Sequence, residues 1–101
     1  MFDLNQYISK TDLDEICRKY KILKLSLFGS GLRDELNPES DIDLLIEFEQ
    51  GETPGLITFC GIENELTSLI GRKVDLRTPK DLSRYFRDDV MNQAEVIHVN
   101  S

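Results

Sequence analysis

A chain of 101 residues is the size of one domain, 1–101, and leaves no room for a separate substrate-binding domain. With 19 acidic against 12 basic residues its formal charge is −7, an average that repels DNA and RNA, so direct nucleic-acid binding is not expected. No apolar run approaches the roughly 18 residues of a membrane span, and Met1–Gln6 lacks the basic start and apolar stretch of a leader, so a soluble, cytoplasmic protein without membrane contact is expected.

In chain order, Thr11 is placed to cap a first helix whose apolar positions Leu13, Ile16, Cys17 and Tyr20 follow helical spacing. Leu23, Leu25 and Leu27 then alternate with Lys24 and Ser26, the period of a half-buried strand, which Gly29-Ser30-Gly31 ends. The segment 41–48 predicts a second strand, with Ile42, Leu44, Ile46 and Phe48 on one face and Asp41, Asp43 and Glu47 on the other. Thr53-Pro54 predicts a helix start and Gly71 its stop, with Phe59, Ile62, Leu66, Leu69 and Ile70 as the buried stripe. Residues 73–77 form a short third strand. Thr78-Pro79 with Asp81 reads as a capping box for a last helix whose apolar side is Leu82, Phe86 and Val90. The segment 96–99 closes the sheet as an edge strand. This order predicts an α/β (α+β) domain, a small mixed β-sheet with helices packed on one face and its aspartates uncovered on the other.

Three strand aspartates on one sheet face call for a reason, because strands disfavour them. Asp41 and Asp43 are two apart, so their side chains leave the same side of the strand about 7 Å apart at Cα. If the third strand pairs beside the second, Asp75 lies about 4.8 Å away. Carboxylates that close repel one another unless a hard cation sits among them, and Mg²⁺ takes such oxygen ligands together with substrate phosphates. Two such ions, about 3.5–4 Å apart, clamp the attacking and leaving oxygens of a phosphoryl displacement. Gly29-Ser30 follows the first strand directly and can bring backbone N–H groups and a hydroxyl to an anion; Arg33, shortly after, can offset triphosphate charge. A lone Gly-Ser is usually a turn and a lone Asp-x-Asp usually an acidic strand start. Their joint spacing arises by chance in roughly one chain of this length in a few hundred.

Other residues admit blander readings. Cys17 and Cys60 form no CxxC pair, and each is placed on the apolar side of a predicted helix as a small core residue. Arg72, Lys73, Arg77, Lys80, Arg84 and Arg87 supply half of the bases in one short stretch, a solvated face or a phosphate-holding edge. Arg84 and Arg87 share a predicted helix face, where surface ion pairing comes before substrate contact. His98, the one histidine, reads as a strand or interface residue.

The pattern of Gly29-Ser30, ten residues, then Asp41-Ile42-Asp43 resembles the signature of the polymerase-β nucleotidyltransferase superfamily. The wider strings LSLFGSGLRDELNPESDIDLLIEFEQG and GRKVDLRTPKDLSRYFRDDV are similar to the minimal nucleotidyltransferases, usually encoded beside HEPN-domain proteins. The resemblance implies the polymerase-β-like fold, two Mg²⁺ ions held by the catalytic Asp41, Asp43 and Asp75, and a triphosphate held by Gly29 and Ser30. It further implies an antitoxin that moves AMP from ATP to a tyrosine of a cognate HEPN RNase toxin and so inactivates it. Two other readings stay open: an antitoxin that neutralises its partner by binding alone, and a nucleotidyltransferase acting on a small molecule.

Overall fold

The computed structural model describes residues 4–28, 41–85 and 87–99. Ser9 opens the first helix, α1 (Lys10–Lys19): its hydroxyl accepts the Asp12 N–H at 3.1 Å, which places Thr11, expected as the cap, inside the helix. Asp12 in the first turn and Arg18 and Lys19 in the last complement the helix dipole. Leu13, Ile16 and Cys17 are its buried side.

Strand β1 (Ile22–Phe28) begins with a bulge between Ile22 and Lys24. The extra residue moves Ile22 into the core and leaves Leu23 exposed, against the plain alternation expected of this segment. Beyond the bulge, Leu25 and Leu27 are buried as expected. Antiparallel to β1 runs β2 (Ile42–Phe48), in which Ile42, Leu44 and Ile46 face the core. The sheet is mixed and four-stranded, in the order β3-β2-β1-β4. In it β3 (Val74–Arg77) lies parallel to β2, and β4 (Glu95–Val99), the expected closing strand, lies antiparallel to β1 at the edge.

Between β2 and β3 the chain crosses over through α2 (Leu56–Ile70). This helix starts after Gly55 rather than at Thr53-Pro54, and it ends at Gly71, whose φ of 79° is the left-handed conformation that glycine adopts freely. Ile62, Leu66 and Ile70 are buried, whereas Leu69 and Cys60, both expected inside, are exposed. The stripe is narrower than its composition suggested, one residue per turn.

The capping box forms: the Asp81 carboxylate accepts from both the Thr78 N–H and its hydroxyl at 3.0 Å. It opens only a single 3-10 turn, Pro79–Asp81, and Leu82 is already extended. The last helix, α3 (Arg87–Gln93), is a separate seven-residue element that buries no side chain. Leu82 is therefore not on its apolar side, and Phe86 lies outside the described residues.

Helices α1 and α2 pack on the same side of the sheet and are tied by the Lys19–Glu65 ion pair at 3.1 Å. The opposite face carries Asp41, Asp43 and Asp75 half-exposed, as expected, but it is not polar throughout. Ser26 and Leu45, paired across β1 and β2, are both buried there, and Leu45 stands apart from the main core cluster. Among the described residues no helix is long and apolar enough to cross a membrane.

Candidate active site

Two strands meet at the site, and their register brings its aspartates together. Asp43 and Asp75 are Cα partners across the parallel β2–β3 pair, so their side chains rise from adjacent positions on one face. Asp41 stands one residue before β2, level with Lys73 before β3, where the Ile42 N–H donates to the Lys73 carbonyl at 2.9 Å. In the antiparallel direction Phe28, at the end of β1, pairs with Asp43. Gly29, Ser30 and Arg33, assigned to the triphosphate, follow in sequence and lie outside the described residues.

The position of β3 is set from its outer side by α2. The Glu63 carboxylate accepts the Leu76 N–H at 2.8 Å, and the Thr67 hydroxyl accepts the Val74 N–H at 3.1 Å. These helix residues are four apart, one turn, and they satisfy the two N–H groups that flank Asp75 on the strand's open edge. Asp75 is thereby held to β2 on one side and to a helix on the other. Glu63 and Thr67 were not among the sequence candidates, because an acceptor one turn from another on a half-polar helix has no distinctive pattern before the strand is docked.

Each outer carboxylate is partnered by a cation from β3 or its approach. Lys73 Nζ lies 3.8 Å from Asp41, and Arg77 reaches Asp75 with Nε and Nη2, both at 3.3 Å. The hydrogen bond with Asp75, and then the Asp75 charge, raise the Arg77 pKa above its ordinary value; the charges of Asp81 and Asp43 add to the effect. Among the described residues no group of three His, Cys, Asp or Glu side chains converges closely enough to hold a metal ion as placed. The backbone brings the aspartates together while the side chains of Asp41 and Asp75 turn to Lys73 and Arg77. The donor set still suits a hard divalent cation: all ligands are carboxylate oxygens, half-exposed and set on rigid neighbouring strands.

The remaining candidates separate. Arg84 lies in the turn before α3 with its guanidinium 5.3 Å from the Tyr85 ring centroid, and Arg87 at the start of α3 donates to the Leu82 carbonyl at 3.2 Å. They do not share a helix face. His98 in β4 places Nδ1 3.2 Å from the Asp14 carboxylate of α1, fastening the edge strand to the helix layer, the strand role expected of it.

The chain matches, over residues 10–97, the family model described as a nucleotidyltransferase domain. It is 33% identical to the protein adenylyltransferase MntA of Thermococcus cleftensis over 84% of this chain and 82% of that protein. A Methanocaldococcus jannaschii protein that bears the name protein adenylyltransferase provisionally is 39% identical over 63% of this chain; that match spans 64% of the relative's own length, under two thirds. Among solved structures, one provisionally described as a minimal nucleotidyltransferase covers 96% of both chains with a TM-score of 0.70 and 28% identity. A toxin–antitoxin crystal structure with AMP-PNP superimposes with a TM-score of 0.73 at 21% identity, over 93% of this chain and 76% of that one. The mixed sheet with its crossover helix is the polymerase-β-like fold, as the motif resemblance implied. With aspartates of neighbouring parallel strands in register and a family match along almost its whole length, the chain belongs to the nucleotidyltransferase domain family.

Proposed function

We propose that this protein is a Mg²⁺-dependent protein adenylyltransferase and the antitoxin of a toxin–antitoxin pair. It transfers AMP from ATP to a tyrosine of a cognate HEPN RNase and so silences the RNase. The observation that carries the reading is the Asp43–Asp75 register pair, with Asp41 two residues upstream of Asp43 on the same side. The adenylyltransferase name of the Thermococcus relative and the AMP-PNP-bound toxin–antitoxin neighbour support the choice of ATP and of a toxin as acceptor.

Asp41, Asp43 and Asp75 would hold two Mg²⁺ ions. When bound, the ions supply positive charge to the α-phosphate and to the departing pyrophosphate, and they lower the pKa of the attacking hydroxyl. The chain's own residues do the rest. Gly29 and Ser30 offer N–H and hydroxyl donors to the triphosphate, and Arg33 offsets its charge. Asp75 orients the tyrosine hydroxyl and can accept its proton on a carboxylate oxygen. The bond that forms joins the tyrosine oxygen to the α-phosphorus. The bond that breaks joins that phosphorus to the oxygen bridging to the β-phosphate, and pyrophosphate carries away the electron pair. Lys73 and Arg77, which neutralise Asp41 and Asp75 here, must yield those carboxylates when the site is loaded.

A second reading is neutralisation by contact alone, which a toxin–antitoxin neighbour supports as much as it does transfer. Intact-mass analysis of the HEPN partner after incubation with this protein, Mg²⁺ and ATP separates the two. A gain of one or more AMP units, absent with Asp41→Ala and Asp43→Ala, is the expected result. A stable complex without any mass change would replace transfer by contact.

A further inference from the structure

Strand β2 is longer than its parallel neighbour. The β2–β3 pairing ends at Leu45 and Arg77, while β2 continues through Ile46, Glu47 and Phe48, paired there only on its β1 side among the described residues. At Thr78-Pro79 the chain turns into its 3-10 turn and leaves a gap beside those last residues. The gap is a cavity of about 240 Å³. Phe48 and Pro79 give it apolar surface beside the fully buried Ile46; Glu47, Thr53 and Lys80 stand among its polar lining residues.

We propose that this cavity seats the adenine ring of the nucleotide and that Glu47 selects adenine over guanine. The inference rests on the reading of Asp41, Asp43 and Asp75 as the phosphate and metal site. Three observations lead to it. The first is size: the volume is below the roughly 300–1,000 Å³ of sites for whole drug-sized ligands, which suits one flat heterocycle. The second is reach. Glu47 is on the same face as Asp43 and four residues along the strand, about 13 Å at 3.3 Å per residue. That is the separation needed for a ribose to stand between an α-phosphate at the aspartates and the far edge of a base. A tyrosine acceptor does not fit the same place, because its attacking oxygen is on the ring itself and must lie at Asp75. The third is chemistry. A carboxylate accepts the N–H of the adenine 6-amino group but repels the 6-oxo group of guanine, and Lys80 can donate to a ring nitrogen. Phe48 and Pro79 offer the ring apolar surface.

Binding isotherms of the intact protein with Mg²⁺ test this, using the α,β-methylene analogues of ATP and GTP and, as a base-free control, tripolyphosphate. Wild-type protein is expected to bind the ATP analogue about tenfold more tightly than the GTP analogue, the worth of one hydrogen bond to a charged group. Thr53→Trp, which fills the cavity, is expected to reduce affinity for the ATP analogue to that for tripolyphosphate and to leave tripolyphosphate binding unchanged. Glu47→Gln, whose amide can donate to a 6-oxo group, is expected to narrow the adenine preference to under about threefold. Asp43→Asn is expected to weaken binding of all three ligands together. If Thr53→Trp bound the ATP analogue as wild type does, or Glu47→Gln kept the full preference, the base would lie elsewhere while the aspartate site stood. Should Thr53→Trp lose tripolyphosphate as well, Glu47→Gln decides alone. Wild-type protein that bound none of the ligands, or Asp43→Asn that bound them normally, would overturn the aspartate site and this inference with it.

Discussion

At Asp41 and Asp75 a lysine or arginine is already in place beside each carboxylate, so the divalent ions proposed for the site would have to compete with Lys73 and Arg77. Both pairs are partly solvated, and such pairs contribute under about 1 kcal/mol to stability. Lys73→Ala and Arg77→Ala are therefore expected to leave the melting temperature nearly unchanged and to tighten Mg²⁺ binding to the free protein several-fold, read by calorimetric titration. Weaker Mg²⁺ binding in these variants would mean that the two bases assist the ion. Asp43→Asn keeps the shape of the side chain and removes its charge. It is expected to lower AMP transfer by about 10³-fold, the scale of losing one preorganised electrostatic contact, with an unaltered circular-dichroism spectrum. The aspartates could be read from the sequence because their spacing encodes a shared face. The ion pairs could not, since Lys73 and Arg77 lie among six clustered bases with nothing to single them out before β3 is docked.

The elements differ in how openly the sequence declares them. Strand β2 alternates except at Leu45, and its face assignment matches the observed burial of Ile42, Leu44 and Ile46. The β1 pattern was shifted by a bulge, which a run of leucines does not reveal because Leu23 is as apolar as its neighbours. Helix α2 misled at both ends of its reading: Cys60 and Leu69 are apolar in type, yet the sheet reaches only one residue per turn. The last helix was read as continuous with the capped turn, but the Thr78–Asp81 box is satisfied within its own residues and does not compel the chain to go on. Glu63 gives this scale its sharpest expectation. Glu63→Ala strips the Leu76 N–H of its acceptor and is expected to cost about 1–2 kcal/mol in urea unfolding. It should lower transfer beyond what that loss explains, because Asp75 moves with β3; Glu63→Gln, which still accepts, should restore most of both. Equal activity in all three proteins would show that α2 does not position Asp75. At the other end of the helix, Gly71→Ala meets open space but must adopt φ near +79°, and is expected to cost about 1 kcal/mol by the same unfolding measurement.

At the scale of the whole molecule, a core thiol ties stability to pH. Burial first, and the Asp14 charge second, push the Cys17 pKa from its ordinary 9.0 up to about 12. In the folded chain the thiol keeps its proton after the unfolded chain has lost it. Its contribution to stability is therefore complete below pH 9 and falls as the pH rises from 9 towards 12. Unfolding free energies across that interval should decline less steeply for Cys17→Ala than for wild type, although the variant starts lower because of the cavity left behind. Cys60, exposed on α2, should react with a thiol reagent in the native protein while Cys17 reacts only on unfolding.

The parallel pairing of Asp43 with Asp75 also constrains how this chain can change in length. Side chains alternate sides along β3, so sliding that strand by a single residue would turn Val74 or Leu76 into the solvent and drive Asp75 into the packed layer. The connection from Gly71 through Lys73 acts as a ruler, fixed at one end by a left-handed glycine and at the other by the Thr67 hydroxyl. Homologous chains should accept varied residues at positions 72 and 73 far more readily than one residue added or lost between them. Among viable length variants in that turn, even-numbered insertions should outnumber odd ones.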